Sequence, residues 1–519
     1  MNRRCALALL ILLGFAAGIV VRPRAAAADG QLELRIVDKE TGQPLPCRIH
    51  LQNASGRAVH IPHTIAWGDH FVCDGRVVLR LPIGNYSFLV ERGSEYLEMR
   101  GQFRLENFAD DVKMIELRRF CNMAKEGWWS GDFDVVRSDK DLELLMRAED
   151  LHVVPLTTIW RGKSLWTEHS LPAKPIVLFD DDRCYQLFAG EDALGGGTLG
   201  YLNLTRPIAL VAKPPPFSRD APAERFFLDH VEEVRRQPGA WIDGRSPSAW
   251  ELPLWVGLGR LDSLEILDRQ YGRDAMLPDS PGNKPRDAGQ YPAPLGAGRW
   301  AQAVYFQLLN CGLRIPPTAG SGAGVTTNPL GYNRLYVYCG EKFSYENWWE
   351  NLKAGQVVLS NGPLIRPMVE GHPPGHVFTA PAGQQVELEI GLNLSTREKI
   401  HYLEIIQNGR VIHEVRLEDF AQMGGKLPHV KFDASGWFLV RAVVDSPKVY
   451  RMAMTGPYYV QIGERSRISR SAVQMFLDWL DQRQAQLKID DAAVRDAMLG
   501  QLRKARDFWT ALLTKANTQ

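Results

Sequence analysis

The rhythm of hydrophobic and polar positions changes several times along this chain. Over residues 31–119 the two alternate: Leu32, Leu34 and Ile36 are separated by Glu33 and Arg35, and Asp38-Lys39-Glu40-Thr41-Gly42 then makes a turn. Val77 to Leu81 and Tyr86 to Val90 continue as strands on either side of Pro82-Ile83-Gly84-Asn85. Short strands with turn signals at this spacing predict a small β-sandwich. Over 126–364 the grammar becomes strand followed by helix. Asp139 to Asp150 places Leu142, Leu144, Leu145 and Met146 in an amphipathic helix behind a Ser138 cap, and Val153 to Leu156 follows as a buried strand. A helix over Ala223 to Arg236 and strands at Ala240 to Ile242 and Leu264 to Leu267 continue the pattern. This alternation predicts a parallel sheet or barrel with its chemistry at the C-terminal strand ends.

Strand patterning returns over 365–463, as in Val386 to Ile390 and Trp437 to Ala442, and predicts a second β-sandwich. Residues 469–516 read as two helices, Ser471 to Leu487 and Asp491 to Lys515, the second capped by Asp490. Val473, Phe476, Leu477 and Leu480 form one apolar stripe, and Leu502, Ala505, Phe508, Trp509 and Leu512 the other. The two stripes predict a helical hairpin packed on the body of the protein.

Composition sharpens this picture at a few points. A chain of 519 residues is too long for one core, and 45% hydrophobic with 23% charged residues is ordinary for a folded multidomain protein. A formal net charge of +1 offers no field for nucleic acid or an anionic membrane. Arg3 and Arg4, the apolar run from Ala6 to Val21 and the small residues Ala25 to Ala28 follow the order of an export signal. The expectation is a signal over residues 1–28 and a periplasmic or extracellular protein with no further membrane span. Of the cysteines beyond Cys5, only Cys47 and Cys73 fall together in one small domain, as a disulfide or as buried thiols. His50, His60, His63 and His70 match no common ligand spacing and read as surface histidines.

The stretch VDKETGQPLPCRIHL with GRVVLRLPIGNYSFLVERG resembles the carboxypeptidase regulatory-like, transthyretin-like sandwich. GWWSGDFDVV, LLMRAEDLHVVPLTTIW, FAGEDALGGGTLGYLNL, LGRLDSLEI, AGSGAGVTTNPLGYNRLYV and LKAGQVVLSNGPL come in the order found in CehA/McbA-like proteins. Those belong to the PHP (polymerase and histidinol phosphatase) superfamily of metallohydrolases. The resemblance covers roughly half the chain. It implies a multidomain α/β plus β protein: a distorted (βα)7 PHP-like barrel flanked by two β-sandwiches, with the C-terminal helical hairpin appended.

Such a site gathers histidines and carboxylates around divalent metals that activate water for attack on an ester or phosphate. The resemblance assigns its opening His-x-His to Asp134 and Val136, its Asp-His to Thr158 and Ile159, and its Gly-Glu to Gly190-Glu191. Further histidines fall near Thr198 and Asp243, and the closing Asp-x-His falls on Gly322 and Gly324. Most imidazoles are therefore missing. The residual acids Asp132, Asp134, Glu191, Asp243 and Glu265 would suit a hard divalent cation such as calcium or magnesium, and no other cofactor is implied. His169 is the candidate general base, with a surface loop histidine as the alternative. Tryptophans 128, 129, 160, 166, 241, 250, 255 and 300 would either line a glycan-binding cleft or fill a core. The expectation is a non-catalytic or weakly active protein that binds a glycan or protein ligand. The alternative is a hydrolase of phosphate or carboxylic esters using a rebuilt carboxylate site.

Overall fold

The structure, a computed structural model, describes residues 29–106, 110–193, 196–208, 228–279, 283–487 and 492–519. The expected signal at 1–28 and the cap at Asp490 lie outside the described residues. The N-terminal strands are β1 (Asp29–Asp38), β2 (Cys47–Asn53), β3 (Ile65–Trp67), β4 (His70–Cys73), β5 (Arg76–Pro82), β6 (Gly84–Glu91), β7 (Met99–Leu105) and β8 (Asp110–Leu117). They form two sheets, ordered β5-β1-β8 and β3-β4-β2-β6-β7. The alternation in β1 turns Leu32, Leu34 and Ile36 inward, where they share a core with Ile49, Leu51, Phe71 and Val90. Cys47 faces Cys73 directly across β2 and β4, with sulfurs 3.7 Å apart.

The central region begins with β9 (Trp128–Gly131), α1 (Asp139–Glu149) and β10 (Val153–Trp160). Ser138 caps α1 by accepting the Lys140 N–H. The chain continues through β11 (Lys163–Ser164), β12 (Ile176–Phe179), β13 (Arg183–Asp192), β14 (Leu199–Leu202), α2 (Leu228–Arg235), β15 (Trp241–Gly244), α3 (Leu252–Gly257), β16 (Ser263–Leu267), α4 (Gly296–Asn310) and β17 (Pro317–Ala319). Strand β10 runs parallel to β9 and β13, and β16 parallel to β15 and β17. Strand β14 departs from the expected parallel pattern, lying antiparallel to both β13 and β15. Too few residues separate Asp192 from Leu199 for a crossover helix, so the chain must turn straight back. Beyond β9 the chain stays extended: the Phe133 N–H donates to the Ala319 carbonyl, and Val135 bridges both Leu156 and Ala323. Residues 132–136 therefore touch β10 on one side and the end of β17 on the other.

Next come β18 (Arg334–Tyr338), α5 (Tyr345–Lys353) and β19 (Val357–Ser360). Strand β18 lies antiparallel to both β9 and β19, and β19 pairs antiparallel with Met452–Thr455. Hydrogen bonding thus runs unbroken from the central region into the C-terminal strands. A separate sheet of Leu364–Val369, Val386–Ser395 and Lys426–Phe432 closes over Leu403, Ile405, Phe438 and Val440. The chain ends in the helices Arg470–Gln486 and Ala492–Thr514. Their apolar stripes meet where Phe476 stacks on Trp509 at 4.8 Å between ring centroids, and the Trp509 indole donates to the Pro253 carbonyl in α3. The molecule is sheet-rich, with several sheets, few helices and a C-terminal helical pair. Among the described residues no helix is long and apolar enough to cross a membrane.

The N-terminal sandwich is fastened by charge as well as by contact. Asp150, which ends α1 in the left-handed conformation, accepts from Arg92, Arg119 and Arg183. Burial alone would raise its carboxyl, but the three guanidiniums outweigh burial and hold it well below the usual range. Arg48 reaches from β2 to Glu149 alongside.

Candidate functional site

Each candidate acid sits in or just beyond a strand end of the central region, but they divide into two groups. Both oxygens of Asp132 are committed to hydrogen bonds, mostly from the backbone. Its Oδ1 accepts the N–H groups of Ser321 and Asp134, and its Oδ2 accepts the Gly331 N–H and the Ser321 hydroxyl. Burial outweighs these bonds and raises its carboxyl to about 6. Asp132 pins two loops together, with both of its oxygens taken up by hydrogen bonds.

Asp134, Glu191, Asp243 and Glu265 do converge, around two arginines that the sequence reading passed over. Arg245 follows β15 and Arg269 follows β16. The Arg269 guanidinium bridges the cluster, donating from Nε to Asp134 Oδ2 at 2.7 Å and from Nη2 to Glu191 Oε2 at 2.6 Å. Arg245 Nη1 lies 2.6 Å from Asp134 Oδ1 and 3.9 Å from Glu191 Oε2. The nearer contact is an ion pair by distance without hydrogen-bond alignment, since both atoms lack a hydrogen-bond partner. Trp160 completes Glu191 by donating its indole N–H to Oε1. With Asp134 and Arg245 buried, this is charge pairing in a low dielectric, where a lost partner is costly.

The remaining two acids behave differently. Asp243 Oδ1 accepts the hydroxyls of Ser263 and Thr318, while its Oδ2 has no donor. Burial raises its carboxyl to about 6 against the pull of Arg245. Neither oxygen of Glu265 has a hydrogen-bond donor, and burial with the Asp134 charge lifts its carboxyl well above the usual range. The neutral acid is the form this setting favours.

Two glycines make the cluster sterically possible. A Cβ at Gly320 would come within 2.4 Å of Asp134 Cβ and 2.7 Å of Glu265 Oε2. One at Gly200 would meet Arg245 Nε at 2.5 Å, so the bare strand β14 provides the bed for that guanidinium. Of the acids expected to hold a divalent cation, Asp134 and Glu191 already face permanent cations carried by the chain, whereas Asp243 Oδ2 and both Glu265 oxygens have no hydrogen-bond donor. Two guanidiniums stand among carboxylates that would otherwise attract a metal. The signal was present as Asp243-Gly244-Arg245 and Asp268-Arg269, with each arginine just past a strand end.

His169 is exposed, and its Nδ1 lies 3.0 Å from the Leu165 carbonyl. Among the described residues no nucleophile or carboxylate hydrogen-bonds to it. The tryptophans read chiefly as core: Trp128, Trp129, Trp241 and Trp255 are buried, and Trp241 packs on Trp349, which stacks on Phe133.

The histidines require a correction. His60 and His63 are exposed, but His50 and His70 are buried beside Asp69, with ligand atoms of the three within 4.8 Å of one another. Burial lowers His70 to about 4, leaving its imidazole neutral. This triad has the size to hold a divalent ion. However, Arg48 Nε and Arg273 Nη1 lie 3.2 and 3.1 Å from His50 Nε2, and Arg273 also donates to Asp69. Guanidiniums again crowd the candidate ligands.

No family model matches the chain, and no curated protein matches it. Three solved structures share limited likeness with it. The Bacillus anthracis TIE protein is 17% identical over 22% of this chain and 20% of its own, with a TM-score of 0.15. The group B streptococcus pilus 2b backbone protein is 19% identical over 18% of this chain and 41% of its own, with a TM-score of 0.15. The streptococcal ancillary pilin is 16% identical over 22% of this chain and 38% of its own, with a TM-score of 0.14. This chain thus covers less than half of each of those proteins, and likeness at this level carries no inference about it.

Proposed function

We propose that this chain is a ligand-binding protein acting outside the cytoplasm, descended from a PHP-type metallohydrolase of the CehA/McbA kind, whose metal centre is replaced by arginine. The observation that carries this reading is the Arg269 bridge between Asp134 and Glu191. A metal-activated hydroxide needs open coordination positions on a cation, and a guanidinium has none. Support for a PHP-like barrel comes from the parallel pairs around β10 and β16, and from acids gathered at strand ends, as barrel chemistry requires.

One observation favours the hydrolase alternative: Asp243 Oδ2 and both Glu265 oxygens lack donors, and such oxygens would suit a hard cation. The two readings separate by metal analysis of the full chain after incubation with manganese, zinc or calcium, alongside assays on aryl phosphates and esters. The expected result is less than one equivalent of retained metal and no turnover above that of Asp243→Ala. Stoichiometric metal with turnover abolished in Asp243→Ala would overturn the proposal.

A further inference from the structure

The alternation of β2 and β4 sorts their side chains onto two faces. Cys47 and Cys73 point into the core of the N-terminal sandwich, where they are 0% and 5% exposed. Their neighbours in register, Arg48 and Val72, point the other way, toward the body of the protein. Arg48 ion-pairs with Glu149 at the end of α1, and Val72 belongs to the core shared with the central strands. Beside them on β3, Trp67 donates its indole N–H to the Thr326 carbonyl. The two cysteines therefore sit directly behind the face on which the sandwich docks.

The geometry of the pair suits one chemistry. The two residues are directly opposite in an antiparallel ladder, where opposed Cα atoms lie about 4.5 or 5.5 Å apart. A disulfide spans roughly 4.4–6.8 Å between Cα atoms, so the ladder already supplies the spacing. The sulfurs are in contact at 3.7 Å. Closing them to a bond of about 2.05 Å calls for side-chain rotation rather than strand movement. Among the described residues no other two cysteine sulfurs approach to hydrogen-bonding distance. Cys73 ends β4 beside Asp74-Gly75 and is the more accessible of the two.

We propose that Cys47 and Cys73 form a cross-strand disulfide by exchange with a disulfide oxidant, fastening β2 to β4 behind the docking face. The Cys73 thiol loses its proton, and its sulfur attacks one sulfur of the oxidant, giving a mixed disulfide and releasing one thiolate. The Cys47 thiol then loses its proton, attacks the Cys73 sulfur and releases the second thiolate. Two protons and two electrons leave the pair, and the oxidant ends as two thiols. The bond joins residues 26 positions apart, which restricts the unfolded chain and stabilises the sandwich. This inference goes beyond the ligand-binding reading and uses none of the acids at the central strand ends.

Peptide mapping of the full chain tests it. The reduced protein is incubated with oxidised glutathione, natively and during refolding from urea, and its remaining thiols are then blocked in denaturant. The expected result, in one treatment or both, is a peptide joining Cys47 to Cys73, two hydrogens lighter than its reduced halves. Cys121, Cys184, Cys311 and Cys339 should be recovered as blocked thiols. Oxidation should also raise the melting midpoint by about 3 °C or more. The double variant Cys47→Ala with Cys73→Ala, which keeps small apolar side chains in the core, should show no such rise. Both thiols still free after both treatments, glutathione left on either one, or a bond from either to another cysteine would overturn the proposal. Equal melting of the reduced and oxidised protein would overturn the fastening of β2 to β4.

Discussion

At the scale of single residues, the central acids are best understood by asking which of them are paid in charge and which in protons. Asp134 and Glu191 face guanidiniums, so removing Arg269 strands two carboxylates that are nearly inaccessible to water. Arg269→Met should destabilise the protein by about 3–5 kcal/mol, read as a shifted urea midpoint, whereas exposed pairs such as Lys399–Asp445 should cost under about 1 kcal/mol. Asp132, Asp243 and Asp268 are instead raised by burial, to about 6, 6 and 7. An acid whose folded value lies above its unfolded one stabilises fully below the unfolded value and loses that contribution as pH rises through the folded one. From these groups, stability should decline between about pH 4 and pH 7. Asp268→Asn keeps an acceptor for the Gln270 N–H and should recover about 3 kcal/mol of that loss, checked by urea midpoints at pH 5 and pH 8. A variant that lost equal stability at both values would show that burial does not govern this carboxyl.

At the scale of elements, local pattern carried far. The Ser138-capped helix, the alternating β1 and the two C-terminal stripes were all legible, because each is set by the period of its own apolar residues. The antiparallel β14 and the junction of β19 with Met452–Thr455 were not, because pairing partners depend on loop length and on distant chain. The site was half legible. Strand-end acids could be located from motif order, but whether an acid meets a metal or an arginine depends on residues from other strands. His50 and His70 were misjudged for the same reason, since no ligand spacing marks side chains brought together from β2 and β4. The terminal helices are held by one buried ion pair, Arg483 with Glu251 beside α3. Arg483→Ala should cost about 3–5 kcal/mol and release these helices to protease before the body unfolds, which limited proteolysis with mass mapping would show.

At the scale of the whole molecule, the three β-rich regions share loads rather than standing as independent beads. Asp150 collects Arg92 and Arg119 from the N-terminal side and Arg183 from β13. Asp150→Ala would leave those guanidiniums facing one another, so the N-terminal sandwich should melt ahead of the remainder, splitting one calorimetric transition into two. A single transition in the variant would show that apolar contact alone couples the parts. The guanidiniums at the central strand ends bear, finally, on how the molecule matures. A metal centre stays incomplete until an ion is delivered, and its ligands repel one another while they wait. Here the cations are encoded in the polypeptide two residues past Asp243 and one past Asp268. Asp134 and Glu191 gain their counter-charges as the chain folds, with no ion to be delivered first.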